Sequence, residues 1–344
     1  MTKGLVLVTG ANGYIAARTV EALLQAGYAV RGTVRSLNST KEIADALSEY
    51  ADRLEFVTVP DITTAGAFDE AIKGVTAVAH LAAPVALNFT DPEPVLKGAI
   101  HGTQRVLESA LTEPAVKSVV IMSSVAAVLT PERAEDYTYT DADWNEQSAE
   151  VIARLGKQTP SRHIYNGSKA AAEKAFWQFR DAHNPSFTMT AVNPSFVAGP
   201  PLVVPPSYDG INITNRLVPD VYLGRPLAEA GIPGAYNAHV DIRDVARIVV
   251  FGVEHPDKAD GHRFLASAHL SPPQAVADIL REAYPDRKGI IQEGTPGEGY
   301  SPDYSFAKKV VFDTSKTVEA TGQGFIPWKD TVLDTVEKLK PILV

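Results

Sequence analysis

Short apolar runs alternate with helix-forming stretches through residue 192, and this alternation restricts the chain to few architectures. The runs are Leu5–Thr9, Tyr28–Val34, Leu54–Val59, Ala77–Ala82, Ser118–Met122 and Thr188–Val192. Helical stretches separate them at Ala16–Ala26, Lys41–Tyr50, Ala67–Lys73 and Val95–Leu111, and a further one opens near Ser161, a candidate N-cap. Runs of this length that are apolar at successive positions fit strands buried on both faces, and strand–helix alternation at this spacing implies βαβ units in a parallel sheet. Right-handed crossovers then put helices on both faces, and 3-2-1-4-5-6 is the simplest strand order. Past residue 195 the pattern breaks at Pro200, Pro201, Pro205, Pro206, Pro219 and Pro226; Asp244–Glu254, Gln274–Tyr284 and Trp328–Leu339 read as helices and Arg263–Ala266 as a returning strand. The reading is an α/β doubly wound core over 1–195 plus about 237–267. A smaller irregular C-terminal substrate lobe would take up about 196–236 and 268–344, over the carboxyl ends of the strands.

The first run ends in Gly10-Ala-Asn12-Gly13-Tyr14-Ile15-Ala16. Gly10 permits a tight turn, Gly13 lets a pyrophosphate approach the backbone, and the small Ala16 lets helix and strand pack closely. The N–H groups and dipole of the helix would face the phosphates, so a dinucleotide is expected here. No Gly-Lys-Ser/Thr ending follows, which excludes a nucleoside-triphosphate loop. An NAD site wants a carboxylate at the end of the second strand, whereas this chain offers Arg31 and Arg35. A guanidinium can grip a 2′-phosphate, so NADP(H) is the expected cofactor. Arg35 lies just past the strand; Arg31 is equally readable as a solvated strand residue.

A formal net charge of −9 with no basic tract argues against nucleic acid or an anionic membrane as partner. No apolar run is long enough to span a bilayer. Zero cysteines remove disulfides, thiolate catalysis and cysteine metal sites. A strand beginning by Leu5 leaves no room for a signal peptide, so a cytoplasmic protein is expected. No histidine pair has helix-face metal spacing, and no metal is expected.

Tyr165 and Lys169 open an alanine-rich helix, four residues apart on one face. A fixed ammonium one turn away is expected to favour the phenolate and make the phenol a stronger acid, suited to protonating a carbonyl oxygen. The same spacing recurs at Tyr284–Lys288, where Pro285 marks a helix end, and at Tyr304–Lys308, in a Gly/Pro/Ser-rich stretch. Position singles out Tyr165, which follows the complete phosphate-binding half.

Taken together these residues resemble the extended short-chain dehydrogenase/reductase family over nearly the whole chain. The resemblance includes Thr9-Gly10-Ala-Asn-Gly13, Pro60-Asp61-Ile62, His80-Leu-Ala-Ala-Pro84, Met122-Ser123-Ser124, Tyr165/Lys169, Asn193-Pro194-Ser195 and Val240-Asp241-Ile-Arg-Asp244-Val-Ala246. Thr140-Asp-Ala-Asp-Trp144-Asn is similar to a loop of the plant dihydroflavonol reductase branch, whose fungal relatives are NADPH-dependent aldehyde and methylglyoxal reductases. The resemblance implies a Rossmann core of the short-chain dehydrogenase type. It implies that Tyr165 protonates the substrate oxygen, that Lys169 binds the nicotinamide ribose and lowers the tyrosine pKa, and that Ser124 bonds the substrate carbonyl, with Ser123 the competing assignment. Asp61 and Ile62 would contact adenine, Ala82, Ala83 and Pro84 would line the cofactor channel, and Pro194, Phe196 and Val197 would flank the nicotinamide. Ala16 replaces the third glycine of the family fingerprint, and Ala99 stands where an asparagine is common, so no proton relay through that side chain is implied.

The loops expected near the site are apolar, with Val85, Phe89, Val125, Ala126, Phe196 and Val203 as candidate pocket residues. Such a pocket suits aromatic or aliphatic ketones, ketoesters and small dicarbonyls. The expected enzyme is therefore an NADPH-dependent carbonyl reductase acting on a small-molecule substrate, as monomer or homodimer. A nucleotide-sugar epimerase or dehydratase on the same scaffold would want held NAD(H) and polar anchors for a diphosphate; a non-catalytic NADP sensor would not need the Tyr–Lys pair. His80, His101, Asp241, Asp244, Trp144 and Trp177 are read as packing or anchoring residues.

Overall fold

The computed structural model describes residues 2–83, 89–130, 137–232, 238–305 and 311–343. In chain order the principal elements are β1 (Leu5–Thr9), α1 (Tyr14–Gln25), β2 (Ala29–Val34), α2 (Lys41–Ala46), β3 (Leu54–Thr58), β4 (Ala77–His80) and α3 (Pro92–Leu111). They continue with β5 (Ser118–Met122), β6 (Thr138–Tyr139), α4 (Gln147–Leu155), α5 (Ser161–His183), β7 (Thr188–Pro194), β8 (Phe196–Ala198), α6 (Leu217–Tyr222) and β9 (Ala238–Asp241). The last are α7 (Ile242–Glu254), α8 (Pro256–Ala259), β10 (Arg263–Ala266), β11 (His269–Leu270), α9 (Pro273–Ala283), α10 (Ser315–Thr321) and α11 (Trp328–Leu339).

The chain divides into two compact units, the first comprising 1–133, 139–193 and 246–265, the second 134–138, 194–245 and 266–344. The first unit is built on a seven-stranded sheet in the order β10-β7-β5-β4-β1-β2-β3. From β3 to β7 every neighbouring pair is parallel. The carboxyl ends of β1, β4, β5 and β7 therefore share one edge, which brings the glycine turn, residues 81–83, Ser123, Ser124 and Asn193 to the same side. The buried faces carry Leu7, Val78, Val119, Ile121 and Met189, against Phe68, Leu107 and Phe176 from the covering segments. This is the Rossmann-type α/β arrangement that the strand–helix alternation requires.

The second unit holds a three-stranded sheet, β11-β9-β8, and a separate core in which α6, α9 and α11 bring Val218, Val221, Ile279, Leu280, Trp328 and Val332 together. Residues 238–245, expected with the first core, belong here, because β9 pairs with β8 and β11 and not with the seven-stranded sheet.

Two local expectations need correction. Residues 67–73 form hydrogen-bonded turns rather than a helix. Closing the first helical turn is unfavourable, and so short a segment offers little propagation to offset it; burial of Phe68 and Ile72 holds the turns instead. The cap of α5 is Pro160, and Ser161 is the first helical residue. Its hydroxyl accepts the Phe89 backbone N–H at 2.9 Å, tying the segment before α3 to the start of α5.

Candidate active site

The glycine turn is held from both sides. Gly13 N–H donates to the Gly10 carbonyl at 2.9 Å, and Ala11 N–H donates to the Thr33 carbonyl at 2.9 Å. Gly10 sits at φ +67°, and a Cβ there would lie 3.2 Å from Ala82. Ala16, in place of a third glycine, is buried. Asn12 and Gly13 are exposed, Tyr14 and Ile15 half-buried, and no side chain caps the first turn of α1. Thr9 Oγ1 accepts the N–H groups of Leu81 at 3.0 Å and Ala82 at 2.9 Å. Its own proton therefore goes to His80 Nδ1, 2.9 Å away, so His80 is a neutral packing residue here. Burial, and secondarily the charge of Lys169, push its pKa down to about 4.

Arg35 is exposed just past β2, without an ion-pair or hydrogen-bond partner among the described residues. Arg31 is different, and its assignment to the cofactor is corrected. Its Nε donates to Glu55 at 2.6 Å, and its Nη1 donates to the carbonyls of Ala71 at 2.9 Å and Lys73 at 2.7 Å. These bonds fasten β2 to β3 and to the turns after it, leaving the guanidinium no free fork for a phosphate. Asp61 is exposed and accepts the Thr63 N–H at 2.8 Å and its hydroxyl at 2.7 Å. Those bonds, backbone first, hold its carboxyl below the usual range. Ile62 is half-buried and packs so closely on α3 that a Cβ on Gly102 would lie 2.9 Å from its Cδ1. Ala82 is half-buried and Ala83 exposed; Pro84 and Val85 lie outside the described residues. The uncapped helix start, the left-handed Gly10 and the unengaged Arg35 together fit a dinucleotide phosphate with a further phosphate on its ribose.

On α5, Tyr165 is half-buried and Lys169 is 8% exposed. The Ser124 hydroxyl is hydrogen-bonded to the Tyr165 phenol, and its oxygen also accepts the Ala126 N–H at 3.1 Å. Ser123 points elsewhere, donating to Glu173 Oε2 at 2.5 Å. The two serine hydroxyls thus have different partners, Ser123 the Glu173 carboxylate and Ser124 the Tyr165 phenol. The expected acidification of Tyr165 by Lys169 does not occur: burial holds the phenol above its usual value, and the Ser124 bond only partly offsets this. Lys169 is itself pushed down to about 8 by burial, against the pull of Glu173 one turn further on. Beside Ser124, Val125 is half-buried and Ala126 buried in a 3-10 turn over Val125–Ala127, and Phe89 is half-buried.

The depressed lysine makes a stability prediction. Between about pH 8 and its ordinary 10.5 the unfolded chain binds more protons at Lys169, so its burial weakens folding most below pH 8 and least above 10.5. Lys169→Met is expected to be more stable than the parent at pH 7, by roughly 1–3 kcal/mol in urea unfolding. That advantage should shrink as pH rises from 8 through 10.5.

Sequence reasoning missed the group beneath this pair. Glu173 is fully buried and is met by four side chains: Ser123, Asn193 Nδ2 at 2.7 Å, Arg263 Nε at 2.5 Å and Trp177 Nε1 at 3.4 Å. Arg263 Nη1 also donates to the carbonyls of Asp141 and Asp143, both at 2.7 Å, and its guanidinium lies 3.8 Å over the Trp144 ring. Trp144 and Trp177 therefore pack. The sequence carries only an acid one turn past Lys169 and an arginine opening an apolar strand, neither of which reveals the other.

The other candidates fall in the second unit. Phe196 and Val197 pair with His239 and Val240 in the β8–β9 ladder, Pro194 ends β7, and Val203 is half-buried. Asp241 accepts from Arg243 and from Thr331 Oγ1 at 2.8 Å, and Asp244 accepts the Ile326 N–H at 2.8 Å, both anchoring roles. Tyr284 donates to Glu337 at 2.7 Å; Tyr304 sits at φ +67°, and Lys308 lies outside the described residues. No group of three potential metal ligands occurs, and no helix is long and apolar enough to cross a membrane, among the described residues.

The chain is 32% identical to the NADPH-dependent methylglyoxal reductase GRE2 of Saccharomyces cerevisiae, over 97% of each chain. It is 31% identical to the ketoreductase azaE of Aspergillus niger, again over 97% of each. It superposes on the crystal structure of yeast methylglyoxal/isovaleraldehyde reductase Gre2 complexed with NADPH with a TM-score of 0.86, at 31% identity over 98% of both chains. The profile of the NAD dependent epimerase/dehydratase family matches residues 6–266. The chain belongs to that family, the extended short-chain dehydrogenases/reductases.

Proposed function

We propose that the protein is an NADPH-dependent carbonyl reductase that converts aldehydes and ketones, ketoesters among them, to alcohols. The observation that carries this reading is the Ser124–Tyr165 hydrogen bond on the sheet edge that also bears the glycine turn, with Lys169 one turn along α5. NADPH, when bound, supplies the hydride. Ser124 and Tyr165 would both bond the substrate oxygen, stabilising the charge that develops on it, and Tyr165 would give up its proton as the alkoxide forms. A phenol held above its usual pKa is fully protonated at neutral pH, so it is ready as an acid. Lys169, partly charged near pH 8, would hold the ribose hydroxyls and compensate the phenolate that remains. Arg35 would receive the 2′-phosphate, and Gly10, Asn12, Gly13, Tyr14 and Ile15 the pyrophosphate. The NADPH-bound yeast relative and the two named reductases support both the cofactor and the reaction class.

The test is a panel of ketoesters, aryl ketones, aliphatic aldehydes and dicarbonyls, run with NADPH and NADH in parallel. Turnover with NADPH is expected. Arg35→Ala should raise KM for NADPH by about ten- to a hundredfold, the worth of one lost charge-assisted bond, and leave KM for NADH unchanged. NAD(H) that copurifies and survives gel filtration, with no carbonyl reduced, would point to an epimerase instead.

A further inference from the structure

One turn past Lys169 on α5, a polar cluster is centred on Glu173. Its members come from four separate elements: Glu173 and Trp177 from α5, Ser123 from the end of β5, Asn193 from β7 and Arg263 from β10. Asn193 Nδ2 also donates to the Ser124 carbonyl at 3.2 Å, so one amide joins the carboxylate to the backbone of the serine that bonds Tyr165. Glu173 lies four residues past Lys169 on the same helix, and both line one small cavity.

We propose that Glu173 is a positioning residue for the reduction: it fixes the Ser123–Ser124 turn against α5 and supplies the buried carboxylate that faces Lys169. The inference rests on the roles given above to Ser124, Tyr165 and Lys169. A carboxylate sealed from water acts on its neighbour far more strongly than an exposed one. Its fixed place follows from its four partners, since each of its oxygens has donors in set directions. Losing it would let the turn after β5 relax, and would remove the one negative charge that acts on Lys169 among the described residues. The other charged or titratable neighbours are Tyr165 on α5, His80 on β4, kept neutral by burial, and Arg263, which is paired with Glu173 itself. The α3 residues lining the cavity, Gly98, Ala99, Gly102 and Thr103, bring no charge.

The experiment follows the pH profile of kcat alongside the ionisation of Lys169, read by NMR of the chain carrying 13Cε-labelled lysine, with the resonance assigned from Lys169→Arg. Glu173→Gln should move the Lys169 titration, and the fall of kcat at high pH, down by about one to two pH units. KM for NADPH should change less than kcat. Should Glu173→Gln not fold, Glu173→Gln/Arg263→Met removes both buried charges together. Arg263 is not among the groups that shift Lys169, so the doubly substituted chain should still titrate low. A Lys169 titration at the parental pH in either folded variant overturns the proposal. The NMR reading needs no turnover: absence of carbonyl reduction by the parent chain, with the lysine shifted in Glu173→Gln, would defeat the reductase reading and leave the Glu173–Lys169 coupling intact, whereas reduction by the parent with an unshifted lysine in the variant would do the reverse.

Discussion

Tyr165→Phe is expected to lower kcat for ketone reduction by about a hundred- to ten-thousandfold, the usual worth of a general acid, while NADPH binding, followed by its fluorescence, stays within twofold or so. The substitution removes one oxygen. The ring and its packing on α5 are kept, and Ser124 retains the Ala126 N–H as a partner. What is lost is a proton held in readiness: the phenol is kept neutral by burial, and Ser124 is the group that draws its pKa back. The parent should accordingly show flat kcat through mildly acidic pH, where phenol and ammonium are both protonated, and a decline as pH passes through about 8, where Lys169 loses its charge. Stopped-flow measurement of NADPH oxidation with a single ketoester separates this loss from product release. Full activity in Tyr165→Phe would remove the assigned proton donor, and with it the reading of the site.

The parts of this site that could be read from sequence are those that short-range geometry decides. A strand of five residues ending in a glycine at φ +67°, then a helix, is specified by neighbours along the chain, as is the four-residue interval between Tyr165 and Lys169. Arg31 and Arg35 look alike in sequence; what separates them is Glu55 on the adjacent strand and two carbonyls 40 and 42 residues away, which claim Arg31 and not Arg35. The direction of the Tyr165 shift differs from the sequence expectation for a related reason. Spacing shows that an ammonium is near, but the dielectric around both groups depends on packing that comes from distant segments. Residues 67–73 show the same limit at the level of secondary structure, because the burial of Phe68 and Ile72, rather than helix propensity, sets their conformation. Glu173 is the least legible member of the site. An acid within an alanine-rich helix reads as a solvated position until Arg263, 90 residues later, is known to lie against it.

That same separation makes the Glu173–Arg263 pair a sharp stability probe. Glu173 is fully buried and Arg263 7% exposed, so neither charge has water to fall back on. Removing one partner leaves the other desolvated and uncompensated, and Arg263→Met should therefore destabilise the fold by about 3–5 kcal/mol. The loss has further parts, since Arg263 also closes the carbonyls of Asp141 and Asp143 and covers the Trp144 ring at 3.8 Å. Restoring electroneutrality reverses most of it. Glu173→Gln/Arg263→Met keeps side-chain length, leaves an amide oxygen for Ser123 and Asn193, and should recover to within about 2 kcal/mol of the parent, because a buried ion pair contributes little beyond what a neutral pair of similar volume supplies. Urea unfolding of the four chains in the cycle gives the coupling directly as the excess of the two single losses over the double. A coupling of about 2 kcal/mol or more is expected. Additive losses would mean that the two charges act through separate surroundings, and that Glu173 owes its place to Ser123 and Asn193 rather than to the arginine.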